Sequence, residues 1–231
     1  MKPFTITSFA VASAIAAVSA APAQAALIIS EVAPWGSNAA GYAADWFELT
    51  NIGALAVNIS NWRIDDNSNT NASAVLLRGV TSIGAGRSVI FLEGNTSGSN
   101  DASINAAFIT AWFGASPPVG FTVGNYGGPG VGLNTANDAV NIFDATGALV
   151  TRVDFGASTT AAIFRSFDNR AGLNNVSISQ LSTVGVNGAF SSADGSSIGS
   201  PGTVVPLPAA LPLLLSGLGV FGAAVRKRRA K

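Results

Sequence analysis

The chain has no cysteine and no histidine, and only one methionine among its 231 residues. These gaps exclude whole classes of chemistry. Without thiolate or imidazole there is no cysteine nucleophile, no Ser-His-Asp triad and no Cys/His zinc site, which leaves carboxylate or hydroxyl chemistry and oxygen-ligated metals. Disulfide staples are excluded as well, so a hydrophobic core has to stabilise the fold. Charge is also scarce: charged residues make up 10% of the chain and hydrophobic residues 48%.

The formal net charge is zero, with 12 basic and 12 acidic residues, but the two signs are segregated. Arg226, Lys227, Arg228, Arg229 and Lys231 crowd one end, and Lys2 stands near the other. Between them only Arg63, Arg78, Arg87, Arg152, Arg165 and Arg170 face all 12 acids, so the middle of the chain is acidic and lysine-free. Neutralising a phosphate backbone requires clustered cations. Nucleic acid is therefore not an expected partner.

Both ends read as membrane-directed. Residues 1–25, MKPFTITSFAVASAIAAVSAAPAQA, give Lys2 as a positive start, an Ala/Val/Ile-rich run, and Ala23-Gln24-Ala25 as a small-x-small site for signal peptidase. The mature chain is expected to begin at Ala26. At the other end, Ala209 to Val225 is uncharged and almost wholly apolar. As a helix that stretch spans about 25 Å, and Val204 to Pro208 bring it to the ~30 Å of a hydrocarbon core. Arg226, Lys227, Arg228 and Arg229 then act as a stop-transfer cluster that stays cytoplasmic, with the acidic middle on the far side. On these residues alone the segment is a single-pass transmembrane anchor.

Val205-Pro206-Leu207-Pro208-Ala209, followed by that apolar stretch and an Arg-rich tip, resembles the VPLPA variant of the PEP-CTERM sorting signals of Gram-negative bacteria. The resemblance implies a membrane-embedded exosortase that cuts near the motif and passes the protein outward, often in bacteria that make exopolysaccharide. The transmembrane helix is then a temporary tether at the inner membrane, and the destination is the cell surface or extracellular matrix. The two prolines fit such a role, because they lack N–H donors and hold the preceding residues extended.

The residues between the two ends have the pattern of strands. Runs such as LIISEV from Leu27, DWFELTN from Asp45, SVIFLEG from Ser88, DAVNIFD from Asp138 and ALVTRVDFG from Ala148 are short and rich in β-branched or aromatic residues, with Gly, Asn, Asp and Ser between them. In DWFELTN, Phe47 and Leu49 share one face while Trp46, Glu48 and Thr50 share the other. Eight such runs, with LAVNISNWRIDD, AVLLRGV and AAIFRSFD, predict a two-sheet antiparallel sandwich. INAAFITAWFG is the exception. It spaces Ile104, Phe108, Ala111 and Trp112 on one helical face, with Asn100 or Asp101 as a cap and Gly114 as a stop, and predicts a helix inserted in a crossover.

The order of these pieces resembles the lamin tail domain. The likeness is carried by LIISEVAPWGSNAAGYAADWFELTN, by IGALAVNISNWRIDD, by Gly84-Ala85-Gly86, by LNTANDAVNIFDATGALVTRVDFG and by a Pro201-Gly202 ending. It covers Leu27 to Gly202 and implies an all-β, immunoglobulin-like sandwich, with the insertion around residues 100–130 and IFRSFDN as departures. The expected layout is a signal peptide at 1–25, the sandwich at 26–202 and the sorting segment at 203–231.

Candidate site residues are few. Trp46, Phe47 and Trp62 lie within predicted strands and read as packing. Glu31 and Glu48 on early strands would suit a general acid/base pair, but pairing with backbone or arginine is the favoured reading. Asp65 to Asn71, DDNSNTN, offers oxygens of the kind Ca²⁺ takes, yet lacks the Gly and Glu spacing of an EF-hand, and such loops usually bond their own backbone. Thr135–Asp138 and Asp144–Gly147 read as turns. GNYGGPGVG, Gly124 to Gly132, has neither Lys nor a following helix for a phosphate cradle, and reads as a surface loop with Tyr126 as its adhesive handle. No catalytic residue, cofactor or metal is assigned. The expected protein is a non-enzymatic display module with exopolysaccharide or surface proteins as partners; a carboxylate-dependent hydrolase and a Ca²⁺-dependent adhesion module are the alternatives.

Overall fold

Short apolar runs broken by Gly, Asn and Asp fold as strands because β-branched and aromatic side chains pack well on a pleated surface. A computed structural model describes residues 27–35, 41–159 and 163–203. Its first half contains β1 (Leu27–Ala33), β2 (Trp46–Asn51), β3 (Val57–Asn58), β4 (Arg63–Asp65), β5 (Val75–Leu76), β6 (Ser82–Ile83), β7 (Ser88–Gly94) and helix α1 (Asp101–Phe113). Its second half contains β8 (Val123–Gly127), β9 (Asp138–Phe143), β10 (Leu149–Phe155), β11 (Phe164–Arg165), β12 (Phe167–Asp168), β13 (Val176–Ile178), β14 (Phe190–Ser191) and β15 (Ser197–Gly199).

Two five-stranded sheets dominate, ordered β12-β1-β2-β7-β8 and β13-β10-β9-β4-β5. Their inner faces meet in one core, where Ile29, Val32, Phe47, Leu49 and Phe91 of the first sheet pack with Ile64, Val140, Ile142, Val153 and Phe155 of the second. This is an all-β sandwich with one short helix. The sequence predicts an antiparallel sandwich, and the structure departs from it: β7/β8, β10/β13 and β11/β15 run parallel. The first of these has a clear cause. The helix lies between β7 and β8, and a helical crossover returns the chain in the same direction.

The helix sits where the 3.6-residue spacing put it, with Gly114 at its C-terminus at φ 59°. It buries Phe108, Ala111 and Trp112. These cover the outer face of the first sheet, packing on Trp46, Ile90 and Leu92 in a second hydrophobic cluster. Trp46 is the hub: its ring lies 5.8 Å from Phe108 and 5.8 Å from Trp112, both nearly perpendicular to it, an edge-to-face arrangement that aromatic quadrupoles favour. Consequently β1 and β2 are buried along their whole length. Their alternation sorts residues between two interiors, not between core and water.

The predicted surface loop at Gly124 is overturned. Val123–Gly127 is an edge strand and Tyr126 is fully buried, 5.5 Å from Phe47. Gly124 is required there, since a Cβ would stand 2.6 Å from the Phe91 ring and 2.9 Å from the Arg78 carbonyl oxygen. Among the described residues, no helix is long and apolar enough to cross a membrane. The expected signal peptide and the apolar stretch from Ala209 lie outside the described residues. Gly124→Ala is expected to lower stability by about 1–3 kcal/mol through overpacking, measured as the shift in denaturant midpoint; an unchanged midpoint would match an exposed loop.

Candidate functional site

A strand turns alternate residues to opposite faces, so Ile29 and Glu31 should share a face. They do not. A bulge between Ile29 and Glu31 shifts the register, pairing Ile29 with Leu49 but Glu31 with Glu48. The extra residue lets Ile29 and Val32 both point inward and sends Glu31 to the outer face, beside Glu48. Both carboxyls are fully buried there.

The last part of the described chain covers them. Glu31 accepts hydrogen bonds from Ser166 Oγ, from Ser200 N at 2.8 Å and from Ser200 Oγ at 2.9 Å. Glu48 accepts from Ser30 Oγ at 2.5 Å, Thr50 Oγ1 at 3.3 Å and Gly202 N at 2.6 Å. Arg170, from the turn after β12, brings Nη2 to 3.2 Å from Glu48 Oε1 with its side chain only 7% exposed. Its guanidinium also donates to the carbonyls of Ser200, at 2.7 Å, and of Thr203. The cluster therefore grips Ser200, Gly202 and Thr203 through both backbone donors and backbone acceptors.

One guanidinium serves two carboxyls. Burial, reinforced by the charge of Glu48, pushes Glu31 up to about 7 against the lowering effects of Arg170, Ser166 and Ser200. Burial also raises Glu48, opposed by Arg170, Ser30, Gly202 and Thr50. A raised carboxyl in a cleft would suit a general acid, but here the chain's own donors occupy the carboxylate oxygens. What the arrangement does is hold a peptide segment.

The other candidates resolve differently. Asp65 is buried and accepts from Ser68 Oγ at 2.6 Å, Thr70 N at 2.7 Å and Ser73 Oγ at 2.9 Å, so the Asx-rich loop is folded around it. Among the described residues, no group of three or more acidic or metal-binding side chains is placed to hold an ion. Asp144 caps a turn with Gly147 at φ 86°, and Asp138 accepts from Asn134 N and Asn67 N. Trp46 and Phe47 are fully buried on opposite faces of β2, and Trp62 packs at the core margin. Ala23, Ala25, Val205, Pro206, Leu207, Pro208, Ala209 and Arg226 to Arg229 lie outside the described residues. The motif nevertheless begins two positions after Thr203, the last residue held by the cluster.

Residues 20–157, more than half of the chain, match the Lamin Tail Domain family. The chain belongs to the lamin tail domain family. Residues 204–229 match the PEP-CTERM protein-sorting motif, which supports export and sorting to the cell surface. No curated protein and no solved structure gives a significant match. The lamin tail domain match stops before β11, whereas the fold continues to Thr203. Arg170, Ser166, Ser200 and Gly202 all come from that continuation. Sequence reading missed them as partners of Glu31 and Glu48. The available signal was the three-residue spacing of Ile29 and Val32, which marks a bulge, and the presence of only six arginines as cations in the acidic middle.

Arg170→Met leaves the buried Glu48 carboxylate unpaired and is expected to cost about 3–5 kcal/mol in unfolding free energy; adding Glu48→Gln should restore part of it, a coupling readable in a double-mutant cycle. The pH dependence has a definite sign. Both carboxyls bind protons more tightly folded than unfolded; the contribution of Glu31 is complete below about 4.5 and is lost as pH rises through about 7, and Glu48, also raised by burial, acts in the same direction. Thermal midpoints should fall across that window, and Glu31→Gln should flatten the decline; a wild-type profile that rises there would contradict this assignment.

Proposed function

We propose that the chain is an exported surface protein that works by display, not catalysis: an immunoglobulin-like lamin tail domain carried to the membrane by a signal peptide, tethered by its C-terminal helix, and processed there by an exosortase. In this reading signal peptidase cuts after Ala25, residues 26–202 form the working domain, and 203–231 form the sorting segment. The single observation that carries it is the junction. The cluster closes over Ser200 to Thr203 just before the PEP-CTERM match at 204–229. A cut within or beyond the Val205–Ala209 motif therefore leaves every gripped residue on the domain side.

The released domain would then reside on the cell surface or in the extracellular matrix. Its partners there would be exopolysaccharide or surface proteins in a biofilm, met through loops rich in Asn, Ser, Gly and Thr. The burial of Glu31 and Glu48 favours this over a carboxylate hydrolase, because a substrate would have to displace the domain's own C-terminal segment.

Intact-mass analysis of the protein recovered from the cell surface tests the reading. The expected species begins at Ala26 and lacks Lys231, and Pro206→Ala with Pro208→Ala should make the full C-terminus persist in the membrane fraction. Surface protein that retains Lys231 would instead indicate a permanent anchor.

A further inference from the structure

Two loops flank the point where the domain ends. On one side, Phe121 packs so closely on Gly202 that a Cβ at Gly202 would stand 2.5 Å from its ring. Two residues earlier, Val119 is 101% exposed. On the other side, Thr203 Cγ2 would lie 2.5 Å from a Cβ on Gly188, and Thr203 Oγ1 donates to the Gly188 carbonyl. That glycine closes a compact double turn, in which Gly185 N donates to Ala189 O and Ala189 N to Val186 O. The turn presents Val184, 54% exposed, and Val186, 46% exposed.

Neither loop is acidic. Residues 114–122 and 182–189 contain no Asp or Glu, although the middle of the chain is acidic overall. The Arg87 guanidinium, exposed and without an acidic partner among the described residues, lies near Gly120 in the first loop. Asp168, which accepts a hydrogen bond from Asn187 of the second loop, is buried, so the loops present apolar tips with a cation beside them and no exposed carboxylate of their own, a match for the interfacial layer of a bilayer with anionic headgroups.

The length of chain beyond Thr203 says what these loops meet. At most five residues, 204–208, separate Thr203 from the membrane-spanning stretch, and fewer where they enter the span themselves. Even fully extended, that connection reaches only about 20 Å. The headgroup layer takes up roughly 6 Å of it, while a domain of this size is about 40 Å across. So short a tether prevents the domain from turning another face to the membrane.

We propose that the face around Thr203 rests on the lipid surface while the tail is inserted, with Val119 on one side and Val184 and Val186 on the other seated among the headgroups. The inference rests on the tethered reading above and adds an orientation to it. The partner is the anionic lipid surface itself, and the contact is lost when the tail is removed.

The absence of cysteine makes the test direct, since each substitution yields a single labelling site. The full-length chain carrying Val119→Cys, Val186→Cys or, as a reference on the opposite sheet, Leu149→Cys is labelled with an environment-sensitive fluorophore and reconstituted into phosphatidylethanolamine/phosphatidylglycerol vesicles. Leu149 is 45% exposed and Val186 46%, so free solution would treat the two labels alike. The expected result is blue-shifted emission and several-fold weaker quenching by aqueous iodide at 119 and 186 than at 149. Equal quenching at all three sites, with the chain floating with the vesicles, overturns the orientation and leaves the tether intact. A chain that fails to float overturns both. Protection that arises only when an exosortase is co-reconstituted assigns the face to a protein and overturns the lipid contact.

Discussion

Two carboxyls and one guanidinium, sealed against the outer face of a sheet, hold the end of this domain in place. Burying charge is costly, and a buried ion pair often stabilises no better than well-packed apolar residues would. Its value here is directional. Glu31 and Glu48 need donors and Arg170 needs acceptors, and the backbone of Ser200 to Thr203 supplies both in a single conformation. An apolar cover would bury area without specifying which segment lies across the sheet or where it must stop.

That requirement explains why the sandwich has a second interior. The outer face of the first sheet is clad at one end by α1 through Trp46, Phe108 and Trp112, and at the other by the strands after residue 163, through Phe164 and Phe190. Trp35 stacks on Phe164 at 6.0 Å and meets Trp46 edge-on at 6.2 Å, linking the two coverings. With both faces buried, the polar residues of β1 and β2 find their partners in each other, in neighbouring β7 and the residues leading to it, and in the C-terminal segment. Ser30, Thr50 and Ser88 accordingly form a hydroxyl chain running on from Glu48 across three strands.

The family likeness and the junction come from different parts of the chain. The lamin tail domain match, which ends at residue 157, supplies four strands of each five-stranded sheet and both glutamates; the edge strands β12 and β13 lie beyond it. The arginine, the serines and the gripped segment follow it. A common sandwich is thereby fitted at its end to a sorting motif that begins two residues later. Structure and targeting meet over a handful of positions.

Much was legible from local pattern. Alternation in DWFELTN divided Phe47 and Leu49 from Trp46 and Glu48, and the 3.6-residue spacing from Ile104 marked the helix, because strand and helix periodicities are written directly in the order of side chains. The C-terminal sorting motif was legible for the same reason, since a short motif with an apolar run and a basic cluster is a linear signal. Tertiary structure decided what a linear reading cannot contain. Gly124 and Tyr126 look like loop residues until the crossover of α1 lays them as a strand against β7, where only a glycine fits beside Phe91. Glu31 and Glu48 read as acids paired with backbone or arginine, but which backbone and which arginine is decided only when a bulge turns them to one side and residues 135 or more positions away close over Glu31. Register, long-range closure and the identity of a buried charge's partner depend on which distant segments share space, and neither composition nor periodicity encodes that.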